Sequence, residues 1–268
     1  MRVTIPASSA NIGPGFDCLA VALDLPFHLD VGEPQGEATK LDGNHPATKS
    51  FVSSGGEGPL FGETLIPPGK GLGFSGAARV AGLAAASLQR SGSIHFADLL
   101  ARSAELEGHP DNVAASIFGS VTATNENAVV RLKCPSQLDV VVWVPDEKTS
   151  TDSSRSQLPT SVPFEIATQA LGRSSVLVAA IASGDLAAMR QCCIDDLHQP
   201  TRLATAPESA RALQVALDNG ASAAWLSGSG PTIAAFVNSA EAQQLRQVLP
   251  DSGHSKILKV APHGIYVS

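Results

Sequence analysis

The sequence predicts an α+β fold in two parts, and three observations carry that prediction. Strand-like and helix-like apolar patterns follow one another irregularly, without the alternation that a doubly wound parallel sheet requires. Near Pro135 the chain leaves one sheet and begins a second half, so domains are expected at 1–135 and 136–268. The 268 residues, 43% hydrophobic and only 16% charged, suffice for one large core or two closely packed ones.

Residues 1–5 read as a strand, followed by a Gly/Pro-rich loop at 10–17. Residues 18–25 are apolar again, and 27–31 alternate like a strand. The stretch 36–58 is polar and rich in Gly, Ser and Thr, which points to turns, loops and at most one helical turn. A short strand at 63–66 precedes a glycine-rich loop and a helix at 77–87, whose only breaker is Gly82. Helices follow at 96–107 and 111–117, the second opened by Pro110 with Asp111 as its cap. Strands are expected at 120–123, 129–132 and 139–144, then a polar loop from 145 to 156. The second half holds helices at 163–171, 174–182, 186–193 and 206–219, then a strand–loop–strand unit at 223–237. A helix at 240–248 and strands near 257–260 and 264–267 close the chain.

Composition narrows the function. A net charge of −7 at pH 7 argues against nucleic acid or an anionic membrane surface as partner. Cys18, Cys134, Cys192 and Cys193 show neither CxxC nor metal-ligand spacing and read as reduced, buried thiols. No signal-peptide pattern opens the chain, and no apolar run is seen that reaches the ~18 residues of a membrane helix, so a soluble cytoplasmic protein is expected. An anionic ligand would have to be held by local donors and a few Arg or Lys residues.

The segment PPGKGLGFSGAA at 67–78 meets that need. A glycine loop running into a helix turns backbone N–H groups toward one point at the positive end of a helix dipole, and the commonest anion for such a site is phosphate. The loop fails the Walker pattern, because Gly71 and not Ser or Thr follows Lys70. It matches GxGxxG at Gly71, Gly73 and Gly76, but its strand is short and ends in two prolines. Asp98, 22 residues after Gly76, lies in a helical segment and not at the end of a second strand, which disfavours a dinucleotide fold. PASSANIGPGFD at 6–17 reads either as a tight connection or as a substrate loop offering the Asn11 amide and the Asp17 carboxylate. LSGSGPT at 226–232 reads alone as a turn.

Taken together, these segments are more specific than any one of them. With EGHPDNVAASIFGS at 107–120, and weaker agreement at 150–159 and 198–202, the chain resembles the GHMP kinases, and among them the homoserine kinases most. The resemblance covers nearly the whole chain outside roughly 33–60. It implies transfer of the γ-phosphoryl group of ATP to an alcohol, here the hydroxyl of L-homoserine. It also implies a ribosomal-protein-S5-like N-terminal domain, a ferredoxin-like C-terminal domain, and the nucleotide in the cleft between them.

Carried over residue by residue, the resemblance puts ATP against Pro68, Gly69, Lys70, Gly71, Leu72, Gly73, Ser75 and Gly76. Lys70 and Asn112 are the expected catalytic groups. Mg²⁺ is expected on Ser75 and a glutamate of the next helix. Glu105 and Glu107 lie two apart and point to nearly opposite faces, so only one can serve, and alignment favours Glu105. For the zwitterionic substrate, Asp17 suits the ammonium and Arg155 and Arg202 the carboxylate, with Asn11 and Asn112 as neutral hydrogen-bonders. Asp111 is not favoured as a general base, and His109 is expected to orient the loop. Phe74 and Gly76 stand where the family usually has serine and alanine. Dimers occur in the family, though nothing in this sequence identifies an interface. The alternatives are a kinase of another small alcohol and a non-catalytic metabolite-binding relative.

Overall fold

The computed structural model describes residues 1–126, 128–146 and 151–268; the part of the expected polar loop at 147–150 lies outside the described residues. β1 (Arg2–Ala10) and β2 (Leu19–Val31) form the antiparallel spine of the first sheet. The expected interruption between 25 and 27 does not occur. Pro26 pairs with Pro6, and the register shifts between Pro6 and Ala7, so two residues lacking an N–H share one gap in the ladder and β2 runs on.

The region expected to be loops contains β3 (Thr39–Lys40) and α1 (Pro46–Ser53), and β4 (Leu60–Thr64) begins three residues before the strand expected at 63–66. His45 caps α1, its Nδ1 accepting the Ala47 amide at 3.2 Å, with Pro46 in the first turn. α2 (Phe74–Ser91) starts three residues before its expected first residue and buries an Ala-rich face. α1 crosses α2 at Gly82, where a Cβ would stand 2.2 Å from the Ala47 carbonyl oxygen. The apparent breaker is therefore a point of close helix approach. α3 (Phe96–Glu107), α4 (Asp111–Phe118), β5 (Val121–Asn125) and β6 (Ala128–Leu132) complete this half. Pro110, not Asp111, is the N-cap residue of α4, and no side chain caps it.

The second half begins with β7 (Leu138–Pro145), then α5 (Thr151–Ser156), a helix where a loop was expected. α6 (Phe164–Ser183) passes unbroken through Gly172, where two helices were expected. At 20 residues and a mean hydropathy of 1.2 it is long and apolar enough to cross a membrane, contrary to the expectation that no segment would be; its Leu177, Ala180 and Ile181 are packed into the core. α7 (Leu186–Cys192), α8 (Gln199–Leu203), α9 (Pro207–Asp218), β8 (Ala223–Leu226), β9 (Ile233–Asn238), α10 (Ala242–Val248), β10 (Gly253–Leu258) and β11 (Tyr266–Val267) follow.

Among the described residues the first sheet has the order β11-β1-β2-β4-β3, with β5 joining β2 to β6. The second has the order β10-β7-β9-β8 and is antiparallel throughout. The chain end returns to the first sheet: β11 pairs with β1, and Val260 bridges Leu23. One apolar core runs through both halves, from Ile12 and Leu23 to Val140, Trp225 and Phe236. A second lies between the far face of the second sheet and α9 and α10, around Trp143 and Leu245.

Two helical glycines should respond oppositely to alanine. Gly172 is exposed and an added Cβ would meet nothing within 4 Å. Gly172→Ala should therefore stabilise by about 0.5–1 kcal/mol through helix propensity, raising Tm by roughly 2–3 °C. Gly82→Ala should destabilise by about 1–3 kcal/mol through overpacking against α1. Thermal and urea unfolding of both variants measure the contrast.

Candidate active site

Three segments far apart in sequence meet at one point. The Ser227 hydroxyl donates to the Gly71 carbonyl at 2.6 Å and shares a 2.7 Å bond with the Ser9 hydroxyl, which also receives Trp225 Nε1–H at 2.9 Å. The Gly228 amide donates to the Ala10 carbonyl at 3.0 Å, and Asn11 Nδ2 donates to the Gly228 carbonyl at 2.9 Å. Contact this close requires glycine. At Gly71 (φ 77°) a Cβ would stand 2.3 Å from the Ser227 carbonyl oxygen, and at Gly73 (φ 69°) 2.1 Å from Ser8 Oγ. The LSGSGPT segment, legible in sequence only as a turn, is thus the clamp behind the glycine loop.

Gly73 is the N-cap of α2 and carries no side-chain cap, so the first-turn N–H groups of that helix have no intrahelical acceptor. The loop from Gly69 to Gly76 lines a cavity of about 140 Å³ together with residues from both halves. Of the expected loop residues, Pro68 is exposed and does not line it; Pro67 does. Lys70 lines it, but its Nζ donates to the Pro145 and Asp146 carbonyls at 2.5 Å each, tying the loop to the end of β7. Lys70, expected among the ATP contacts and catalytic groups, thus lines the cavity with its ammonium bonded to those two carbonyls. Phe74, at the start of α2, packs edge-on to Phe27 and His45, with centroids 6.2 and 5.7 Å away. Gly76 approaches Val113 no closer than 3.4 Å from a Cβ position, so the alanine usual in the family would fit.

At the loop mouth Ser75 Oγ donates to Glu107 Oε1 at 2.8 Å, and Arg79 pairs with the same oxygen. This corrects the choice of Glu105, which is exposed and absent from the cavity. The reason is helical phase: α3 buries Leu99, Leu100 and Ser103, and Glu107 continues that stripe at i+4 from Ser103, whereas Glu105 does not. Phe96 and Leu106, counted with the apolar side of α3 in the sequence pattern, are both more than 40% exposed. Arg79 was not anticipated, although its spacing of i+4 from Ser75 on an apolar helix is a legible signal.

Behind the loop, Asn112 Oδ1 accepts the Ser8 hydroxyl at 2.8 Å. Buried Asp111 accepts the Asn112 amide at 2.7 Å, and its carboxylate lies 2.6 Å from His109 Nδ1. Burial disfavours a charged His109, but the bond to Asp111 and the charges of Asp111, Asp17 and Glu107 outweigh it and raise its pKa. At the opposite wall Arg155 forms a two-pronged ion pair with Asp17, at 2.7 and 2.9 Å, which raises the Arg155 pKa. Asn11, at φ 64°, positions that acid by accepting the Asp17 amide at 2.9 Å.

Arg202 is only 5% exposed, and no carboxylate lies within ion-pair distance of it among the described residues. Its Nη1 donates to the Gly228 carbonyl and His198 Nδ1, both at 3.1 Å, and its Nε is buried without a partner. Burial, then the nearby charge of Arg155, lowers its pKa. The site therefore holds a desolvated cation that still lacks an anion. The structure thus brings together Asn11, Asp17, Asn112, Arg155, Arg202, Ser75 and the loop glycines, and leaves out Glu105 and Pro68.

Comparison with known proteins identifies the family. The family model for the GHMP kinase N-terminal domain matches residues 53–120, and that for the GHMP kinase C-terminal region matches 177–255. A homoserine kinase of Desulfitobacterium hafniense is 37% identical over 99% of this chain and 94% of its own length. The crystal structure of homoserine kinase from Cytophaga hutchinsonii superposes with a TM-score of 0.85 at 26% identity, covering 100% of this chain and 97% of that one. The structure of a protein from Listeria monocytogenes described as a putative homoserine kinase gives 0.84 at 30%, covering 100% and 98%.

The loop interlock makes a stability prediction of its own. Ser227→Ala leaves the Gly71 carbonyl and the Ser9 hydroxyl each short of a buried partner, at about 1–3 kcal/mol. Urea unfolding should show the midpoint falling with little change in slope.

Proposed function

The chain belongs to the GHMP kinases, and from that premise we propose that it phosphorylates the hydroxyl of L-homoserine with ATP, giving O-phospho-L-homoserine. The reading places it in threonine biosynthesis, acting on soluble metabolites in the cytoplasm. One observation carries the choice of substrate: the buried Arg202 guanidinium, without a carboxylate partner among the described residues, beside the Asp17–Arg155 pair in the cavity behind the glycine loop.

A zwitterion suits that wall. Its carboxylate would satisfy Arg202 and share Arg155, while its ammonium takes Asp17, so one part-exposed ion pair is exchanged for several charge-assisted bonds. The terminal hydroxyl then extends toward Asn112 and the glycine loop. With Asn112 Oδ1 committed to Ser8, its Nδ2 is the group offered to the acceptor oxygen. The backbone N–H groups opening α2 receive phosphate oxygens. Asp111, committed to His109 and the Asn112 amide, holds its neighbours in place. The rate enhancement in this scheme comes from alignment and charge stabilisation, as phosphoryl transfer requires.

Ser75 and Glu107 fit Mg²⁺: a hydroxyl and a carboxylate converge at the loop mouth, where the Arg79 guanidinium already rests on the same carboxylate oxygen. A cation held there would neutralise charge on the phosphates.

ADP release from Mg·ATP tests the reading, with L-homoserine, L-serine, L-threonine, mevalonate and 3-aminopropan-1-ol as acceptors. Homoserine should stimulate turnover strongly; 3-aminopropan-1-ol, which lacks the carboxylate, weakly; and mevalonate not at all. Arg202→Ala should raise KM for homoserine by roughly 10–100-fold, the range of a lost charged hydrogen bond, and leave KM for ATP within about twofold. Silence with every acceptor would sink the proposal. Separately, Glu107→Gln should cut kcat by roughly 100-fold or more and raise the Mg²⁺ requirement, while Glu105→Gln should stay within about twofold. Equal losses in the two would remove the metal assignment.

A further inference from the structure

We propose that His198 is a positioning residue for the carboxylate-binding guanidinium of Arg202, acting through Nδ1 as the fixed acceptor of an Arg202 hydrogen bond; this rests on the reading of Arg202 as the substrate-carboxylate site. His198 is fully buried, four residues before Arg202. Its Nδ1 lies 3.1 Å from Arg202 Nη1. A guanidinium can only donate, so Nδ1 must be unprotonated and the ring proton of the neutral imidazole must sit on Nε2. Nε2 lies 3.5 Å from Asp195 Oδ2, with no geometrically good hydrogen bond to it. Asp195 is itself held by the amides of Leu197, His198 and Gln199. A buried carboxylate, an imidazole and a guanidinium thus stand in a row that ends in the cavity.

The balance of the surroundings favours the neutral ring. Burial lowers the His198 pKa and the charge of Arg202 pushes it the same way, against the opposite pull of Asp195 and Asp111. Phe16 lies against the imidazole at 5.1 Å and under both guanidiniums, Arg202 at 5.5 Å and Arg155 at 5.4 Å. Its π-face stabilises two like charges held side by side. Arg202 therefore has its direction set from two sides, by Nδ1 and the Gly228 carbonyl at Nη1 and by the Phe16 ring at the guanidinium plane. Without His198, Nη1 loses one of its two acceptors, and the guanidinium gains freedom that carboxylate binding must then remove.

The test compares His198→Ala, His198→Asn and His198→Gln with homoserine and with 3-aminopropan-1-ol. Asn sets its amide oxygen three bonds from Cα, as Nδ1 is, whereas Gln sets it four bonds away, as Nε2 is. His198→Ala should raise KM for homoserine tenfold or more with kcat within about threefold, and leave kcat/KM for 3-aminopropan-1-ol unchanged. His198→Asn should recover most of the loss and His198→Gln should not, and adding His198→Ala to Arg202→Ala should cost nothing further. Equal losses on both acceptors, additivity with Arg202→Ala, or no recovery by Asn would overturn the proposal. Should the Ala variant not fold, Asn against Gln and long-range ¹H–¹⁵N NMR of the wild type decide it. A neutral His198 protonated on Nε2 is expected, and a ring protonated on Nδ1 overturns it. If the wild type ignores homoserine, the functional reading falls, while the tautomer still judges the His198–Arg202 bond by itself.

Discussion

The hydroxyl of Ser227 lies between Ser9 and the Gly71 carbonyl, joining positions 218 and 156 residues away, and the rest of the site depends on that junction. Buried hydroxyls and carbonyls are costly unless paired, so each of these bonds constrains where the others can be. The clamp holds the second sheet against the β1–β2 edge of the first. It leaves no room for a Cβ at Gly71, as Ser8 leaves none at Gly73, and both glycines take the positive φ that leads the loop onto α2. Contacts between segments far apart in sequence therefore back the local glycine motif at the anion-facing helix start. Lys70 adds to the same contact, its ammonium anchoring the loop to the carbonyl of Pro145, the last residue of β7, and to that of Asp146 just after it.

Charge is distributed along the cavity with one part left unbalanced. Glu107 is met by Arg79, Asp17 by Arg155, and Asp111 faces His109. Among the described residues Arg202 has only neutral acceptors and an aromatic face. In a chain of net charge −7, a desolvated guanidinium without an acid beside it represents stability given up, as is common where a binding group is kept ready for an incoming anion. The Asp17–Arg155 pair keeps the neighbouring acid and base together until a molecule carrying both charges arrives.

The α+β class, most of the elements and many of the cavity residues, among them Asn11, Asp17, Asn112, Arg155, Arg202 and the loop glycines, were legible in the sequence, because they depend on apolar period, glycine placement and motif order. The failures have physical causes. Pro26 and Gly172 break propensity locally, but Pro6 opposite one and open solvent beside the other remove the reason to stop. The helix α1 hid in a polar stretch because its main partner is the one-residue gap at Gly82. Glu105 was preferred over Glu107 on motif alignment, whereas the buried stripe of α3, through Leu99, Leu100 and Ser103, continues to Glu107.

By itself the sequence determined the kinds of chemistry present: a glycine loop for an anion, acids and hydroxyls near it, and two arginines in a chain with few cations. These are properties of residue type and short-range spacing, which the backbone periods of helix and strand convert directly into local geometry. Only the tertiary structure decided which of those groups act together. It set Glu107 on Ser75, turned Lys70 to the β7 carbonyls, made LSGSGPT a clamp, and left Arg202 without an acid. Those choices rest on contacts across sequence separations of 26 to 218 residues, where burial and hydrogen-bond satisfaction select the partners and local pattern has no influence.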